Sequence, residues 1–153
     1  MADTTPPTSD PTALPQLEHR LADPEPMCLA MVAVEPVAPA TGQWTPTQAL
    51  IEEVKRRLGD NLRRYDELDL LEDGRFVIVL RTLADASVLA SRMQRIFEAL
   101  DAPYVVDGTE LQVRALLGAA IRMPQEDTQT FLSRVLSAVD EARRSGGRAP
   151  VIH

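Results

Sequence analysis

Two Asp-Gly dipeptides, each between apolar segments, constrain the fold of this chain more than any other feature. They occupy positions 73–74 and 107–108. The apolar segments that flank them are residues 68–71 and 76–80 for the first, and residues 104–106 and 111–123 for the second. Asp-Gly favours the two-residue turn of a β-hairpin, in which both turn residues adopt a positive φ. The sequence therefore predicts two antiparallel hairpins.

Three amphipathic helices are predicted around these hairpins. Apolar residues at three- and four-residue spacing follow Thr45-Pro46, which predicts a helix with Thr45 as N-cap and Pro46 at its first position. Thr82 and Asp85 resemble a capping box that opens a second helix, whose apolar side begins with Val88. A third helix is predicted over residues 128–144, and a Gly-Gly pair ends it.

Two further strands complete the predicted order. Residues 27–35 are apolar at almost every position, which is typical of a strand buried on both faces, and residues 151–152 add a short closing strand. The order β-α-β-β-α-β-β-α-β predicts an α/β (α+β) fold with a central, mostly antiparallel sheet flanked by helices. Residues 25–153 form this predicted domain, and residues 1–24, rich in Pro and Thr, are predicted to be a disordered tail.

Charge and cysteine content exclude several classes of function. The net charge is −7, whereas binding to a nucleic acid polymer needs a basic surface. The one cysteine, Cys28, excludes an intramolecular disulfide and a cysteine-based zinc cluster, and we expect it to be a small buried hydrophobe. No apolar run is long enough to span a membrane, and no signal peptide is recognised, so we expect a cytoplasmic location.

The segment 58–80 resembles the centre of a diguanylate cyclase (GGDEF) domain. In that family a helix ends in Leu-x3-Leu-Arg-x2-Asp, and a Gly-Gly-Asp/Glu-Glu-Phe hairpin follows five residues later. This chain matches the two patterns, without a gap, at Leu58, Leu62, Arg63, Asp66 and Phe76. Further likenesses are the Leu-Leu-Gly-Ala run at 116–119 and the Ala-Arg-x2-Gly run at 142–146. The resemblance covers about residues 27–152 and implies the GGDEF/nucleotidyl-cyclase-like fold.

The residues that would carry catalysis in such a domain are replaced. The resemblance implies two GTP molecules held by a dimer, with metals bound by acidic side chains. Glu72 and Asp73 replace the two glycines that let the hairpin approach the nucleotide, and Gly74 and Arg75 replace the acidic pair. Ala33 replaces the metal-binding aspartate of the first strand. We therefore expect no cyclase activity, no catalytic residues and no bound Mg²⁺.

The resemblance also implies a ligand site, because Arg63 and Asp66 match the Arg-x-x-Asp inhibitory motif that binds cyclic di-GMP in cyclases that have it. Arginine holds phosphate bidentately or stacks on guanine, while aspartate accepts hydrogen bonds from guanine N1 and N2. A second family arginine falls at Arg92 if a short deletion is allowed before the helix. Arg64 and Arg95 are weaker candidates. The alternative interpretation is an ordinary surface ion pair between Arg63 and Asp66.

Three functions remain compatible with these residues. The first is a non-catalytic cyclic di-GMP receptor or signalling adaptor that regulates a partner protein. The alternative is a nucleotide-independent protein-interaction or dimerisation module, and the third is GTP binding without turnover, against which Glu72 and Asp73 argue. The partners considered are cyclic di-GMP, another signalling or effector protein and a second copy of the chain. No cofactor is expected.

Overall fold

The computed structural model describes residues 27–37, 46–71, 74–81 and 86–153. In chain order the elements are β1 (Met27–Pro36), α1 (Gln48–Asp60), β2 (Glu67–Leu70), β3 (Phe76–Arg81), α2 (Ala86–Asp101), β4 (Tyr104–Val106), β5 (Thr109–Leu111), β6 (Val113–Ile121), α3 (Thr128–Arg144) and β7 (Val151–Ile152). The predicted tail, the predicted cap at Thr45, the capping box at Thr82 and Asp85, and the motif residues Glu72 and Asp73 lie outside the described residues.

A five-stranded sheet in the order β2-β3-β1-β6-β7 organises the domain. β1 lies at its centre and pairs antiparallel with β3, from Met27↔Arg81 to Val32↔Phe76, and with β6. β2 pairs antiparallel with β3, and only the β6·β7 pair is parallel. The predicted α+β fold with a mostly antiparallel sheet and flanking helices is therefore confirmed.

The helices cover both faces of this sheet, which explains why β1 is apolar throughout. Cys28, Ala30 and Val32 join the core under α1 and α2, while Leu29 and Met31 join the core under α3. Alternate side chains of a strand point to opposite faces, so a central strand between two helical layers needs apolar residues at every position. Cys28 is buried as predicted, and burial raises the pKa of its thiol to about 12. No helix in the described ranges is long and apolar enough to cross a membrane.

Two local predictions were wrong. The N-cap of α1 is Thr47, whose Oγ1 accepts a hydrogen bond of 3.2 Å from the Leu50 N–H and so satisfies one of the free donors of the first turn. The second hairpin is shorter than predicted, because β4 pairs with β5 in a separate two-stranded sheet. Its turn has positive φ angles at Asp107 and Gly108, as Asp-Gly predicts. The β4·β5 pairing ends at Leu111. After Gln112, β6 pairs with β1 instead, which buries most of its apolar residues in the main sheet.

Candidate functional site

A cavity of about 470 Å³ opens between the end of α1 and the first three turns of α2. Its wall is formed by Asp60, Asn61, Leu62, Arg63, Ser87, Val88, Ser91, Arg92 and Arg95. The residues from α2 recur at three- and four-residue spacing and therefore lie on one face of the helix. Val88, which we predicted to face the core, lies on this wall and is only partly buried. Three arginines thus line one cavity on a chain whose net charge is −7.

A buried ion pair joins the two sides of this cavity. The Nη2 atom of Arg92 donates to Oδ2 of Asp66 over 2.6 Å, and its Nη1 atom donates to Oδ1 over 3.4 Å. Only 10% of the Arg92 side chain and 1% of the Asp66 side chain are exposed. Arg92 also donates to the main-chain oxygen of Asn61, at 3.5 Å. These contacts hold α2 against the loop that follows α1.

Arg63 and Asp66 are joined in a turn through the backbone of Arg63. The described contacts do not include the surface ion pair that was the alternative interpretation. The Asp66 N–H donates to the Arg63 carbonyl over 3.0 Å, and the Arg63 N–H donates to Asp66 Oδ2 over 2.7 Å. In the described contacts the carboxylate of Asp66 therefore binds the backbone of Arg63 and the guanidinium of Arg92. Arg63 is exposed and lines the cavity.

The structure thus brings three of the predicted arginines to one cavity wall, to which Asp66 and Arg64 do not belong. Arg63, Arg92 and Arg95 all line the cavity. Asp66 is not part of the wall but binds Arg92, and Arg64 is exposed but is not part of the wall. Sequence reasoning missed four polar wall residues, which are Asp60, Asn61, Ser87 and Ser91. The signal for the two serines was their four-residue spacing to each other and to Arg95 on one helix face.

The described residues of the segment that replaces the catalytic motif, Gly74, Arg75 and Phe76, lie against the rest of the protein. Gly74 has φ +90°, and a Cβ atom built on it would lie 2.9 Å from Cγ of Pro46. Arg75, which we predicted to stand near the metal site, is 7% exposed, and its Nη1 atom lies 3.3 Å from Sδ of Met31. Phe76 is buried in the core under α1 and α2. The side chains of Arg75 and Phe76 therefore pack inward.

Two more positions of the family resemblance, Ala33 and Arg143, make contacts within the protein. Ala33 packs in the core, and Arg143 forms ion pairs. Ala33 is buried in the core under α3. Arg143 donates to Glu35 over 3.1 Å and to Asp140 over 2.9 Å, and Arg114 donates to Glu35 over 2.7 Å. Burial opposes ionisation of Glu35, but the hydrogen bonds from these two arginines hold its pKa below its ordinary value. Within the described ranges, no group of three or more His, Cys, Asp or Glu residues is placed to hold a metal ion.

Comparison with known proteins gives one family and a common fold. The family model "Diguanylate cyclase, GGDEF domain" matches residues 46–149. The y4lL protein of Sinorhizobium fredii, described as uncharacterized, is 24% identical over 129 residues, and the match covers 82% of this chain but only 15% of that protein.

Solved GGDEF domains have a similar fold. The GGDEF domain of DgcB from Caulobacter crescentus, solved in complex with cyclic di-GMP, is 16% identical at a TM-score of 0.67, and the match covers 99% of this chain and 95% of that one. The diguanylate cyclase SiaD from Pseudomonas aeruginosa, solved in complex with its activator SiaC, is 19% identical at a TM-score of 0.69, over 92% of this chain and 59% of that one.

Proposed function

This chain belongs to the family of diguanylate cyclase GGDEF domains, and we propose from that premise that it is a non-catalytic, cytoplasmic receptor for cyclic di-GMP that regulates a partner protein. The observation that supports this most directly is the convergence of Arg63, Arg92 and Arg95 on one open cavity. The proposal includes a partner protein because a receptor that catalyses no reaction can transmit a signal only by changing how it binds another protein.

The wall chemistry suits a ligand that carries two phosphates and two purine bases. Arginine binds phosphate oxygens through parallel N–H groups, and its flat guanidinium also stacks on a base. Two unit charges about 4 Å apart attract by roughly 4 kcal/mol at an effective dielectric of about 20. Arg63 and Arg95 are exposed, and they approach the cavity from the loop after α1 and from α2 respectively. A cyclic dinucleotide between them would receive cationic contacts from both sides.

The absence of catalysis is the second half of the proposal. A glycine-rich hairpin allows close approach of a nucleotide, but here Pro46 packs against Gly74. Arg75 takes the place of a family acidic residue and packs against Met31, and Ala33 offers no metal ligand. Phosphoryl transfer needs a cation held at the phosphates to stabilise developing charge. These replacements support a receptor rather than a cyclase.

We expect the full chain to make no cyclic di-GMP from GTP with either Mg²⁺ or Mn²⁺. The physical reason is the loss of the carboxylates that would hold the metal. Chromatographic detection of the product, with an active GGDEF cyclase as a parallel control, measures this directly. Product formed over several turnovers would contradict the non-catalytic half of the proposal.

Binding itself is tested by calorimetric titration of the full chain with cyclic di-GMP. We expect saturable binding that falls by about 10- to 100-fold in Arg63→Ala, since a hydrogen bond to a charged group contributes roughly 1.5–3 kcal/mol. Arg64→Ala is the matched control, because Arg64 is also exposed but does not line the cavity. It removes the same charge from the next residue and should leave the affinity unchanged.

Two outcomes would overturn the receptor proposal. One is the lack of any heat or thermal shift at about 100 μM ligand, which would leave an affinity weaker than roughly −5 kcal/mol. The other is an equal loss of affinity in Arg63→Ala and Arg64→Ala, which would indicate unspecific attraction to positive charge. Partner binding that ignores both cyclic di-GMP and Arg63→Ala would favour the nucleotide-independent interaction module instead.

A further inference from the structure

We propose that Asp60, the last residue of α1, is the carboxylate that recognises the guanine base in this cavity, and that Asp66 is a positioning residue for Arg92. The inference rests on the proposed binding of cyclic di-GMP and names the residues that read the ligand. It departs from the family resemblance, which assigns base recognition to the aspartate of the Arg-x-x-Asp motif.

Asp66 is already committed to protein contacts. Its Oδ2 atom accepts from the Arg92 guanidinium at 2.6 Å and from the Arg63 N–H at 2.7 Å, and its side chain is 1% exposed. Because 1% of this side chain is exposed, a base edge could reach the carboxylate only if the groups that cover it, Arg92 among them, moved away. Removing a buried charge from its partner costs far more than breaking a surface contact. The geometry therefore gives Asp66 the role of fixing where Arg92 points.

Unlike Asp66, Asp60 has a carboxylate that a ligand can reach. It lies on the cavity wall, and 64% of its side chain is exposed. The contact described for its carboxylate is a 3.2 Å hydrogen bond from Arg56, whose own side chain is 60% exposed. Arg56 keeps two shorter hydrogen bonds to Glu53, at 2.7 and 3.1 Å. Since an exposed ion pair of this kind contributes little, a ligand displaces it at low cost.

The position of Asp60 in its helix gives only a weak structural reason for a carboxylate, which is the exposed ion pair with Arg56. The C-terminal end of a helix carries partial negative charge, which disfavours an acidic side chain there. The end of α1 is instead completed by the Asn61 side chain, which donates to the Arg57 carbonyl at 2.9 Å. A residue that is unfavourable for the stability of its own helix and that lines a cavity is typical of a functional site.

The chemistry of guanine matches a single exposed carboxylate. The N1–H and the N2 amino group of guanine lie side by side on one edge and both donate, so a carboxylate accepts from both at once. Among the described residues that line the cavity, Asp60 is the one that carries a carboxylate. With Asp60 on the base edge, Arg63 and Arg95 remain for the phosphates. This arrangement selects guanine over purines that lack the N2 donor.

The test compares cyclic di-GMP with cyclic di-IMP, whose hypoxanthine bases lack the N2 amino group, by calorimetry on the full chain. We expect the unmodified protein to prefer cyclic di-GMP by about tenfold or more. Asp60→Asn should lower the affinity for cyclic di-GMP and reduce that preference to about twofold, without lowering Tm. Asp66→Asn should weaken both ligands equally, keep the preference, and lower Tm.

The outcomes separate this inference from the proposed function. An unchanged preference in Asp60→Asn, with cyclic di-GMP still bound tightly, overturns the role of Asp60 and leaves the receptor proposal intact. No binding of either ligand by the unmodified protein overturns both. If Asp66→Asn does not fold, the Asp60→Asn comparison decides alone, and Asp60→Glu should restore the preference because it restores the carboxylate.

Discussion

Replacing Gly118 by alanine is expected to lower the free energy of unfolding by about 3 kcal/mol or more. Gly118 lies on β6 where α3 crosses the sheet. A Cβ atom there would lie 2.5 Å from the Val139 backbone nitrogen, and 2.7 Å and 2.9 Å from the carbonyl carbon and the Cβ of Ala138. Backbone atoms in the middle of a helix do not move aside locally, so α3 would have to shift as a unit and lose contacts along the sheet.

The matched control for Gly118→Ala is Gly59→Ala. Gly59 lies in α1, and an added Cβ there meets no atom within 4 Å. The same chemical change should therefore stabilise the protein, by up to about 1 kcal/mol, because alanine loses less backbone entropy in a helix than glycine does. Urea unfolding followed by circular dichroism measures both variants. A Gly118→Ala protein within about 0.5 kcal/mol of the unmodified one would contradict the close packing of α3 on β6.

Most of the fold could be predicted from the sequence because its main elements are marked by local chemistry. The Asp107-Gly108 turn needs only two residues and its apolar flanks, and the range of α3, Thr128–Arg144, coincides with the predicted helix. The strand near the C-terminus was also predicted where it occurs, at Val151–Ile152. Periodicity, turn residues and caps act over a few positions, so a single sequence contains enough information to reveal them.

The errors arose where two local solutions compete or where a distant contact decides. Thr45 and Thr47 both flank Pro46 and both suit an N-cap, and the sequence does not say which one binds an N–H of the first turn. The split at Gln112 depends on β1 as pairing partner, although β1 lies more than 70 residues earlier. Val88 has a core-like side chain, but its place on α2 puts it beside the cavity.

The candidate site was predicted in its residue types but not in its contacts. The resemblance gave Arg63, Asp66 and Arg92, and Arg92 and Asp66 do meet. The resemblance did not predict that Arg92, which is 26 residues from Asp66 in the chain, would form an ion pair with the carboxylate of Asp66. Burial of one partner decides which acidic group a ligand can reach, and burial belongs to the folded structure. For the same reason Asp60 carried no visible signal in the sequence.

Breaking the Arg92–Asp66 pair is the second large effect that we expect. Asp66→Ala should lower the free energy of unfolding by about 3–5 kcal/mol, because it leaves a largely buried guanidinium without its counter-ion. Arg92→Met should also destabilise the protein, because it leaves the buried Asp66 carboxylate without its counter-ion, although methionine fills much of the same volume. The double variant should be less destabilised than the sum of the two single variants, since it leaves neither charge uncompensated.

A double-mutant cycle measured by urea unfolding gives the coupling energy of the pair, which we expect to be about 1–3 kcal/mol. The Asp60–Arg56 pair, with side chains 64% and 60% exposed, is the matched control from the same region, and its coupling should stay below about 0.5 kcal/mol. The contrast bears on function, because a carboxylate that stabilises the fold strongly is not free to bind a ligand, whereas a weakly coupled one is. Equal coupling in the two pairs would remove the physical reason for assigning base recognition to Asp60 rather than to Asp66.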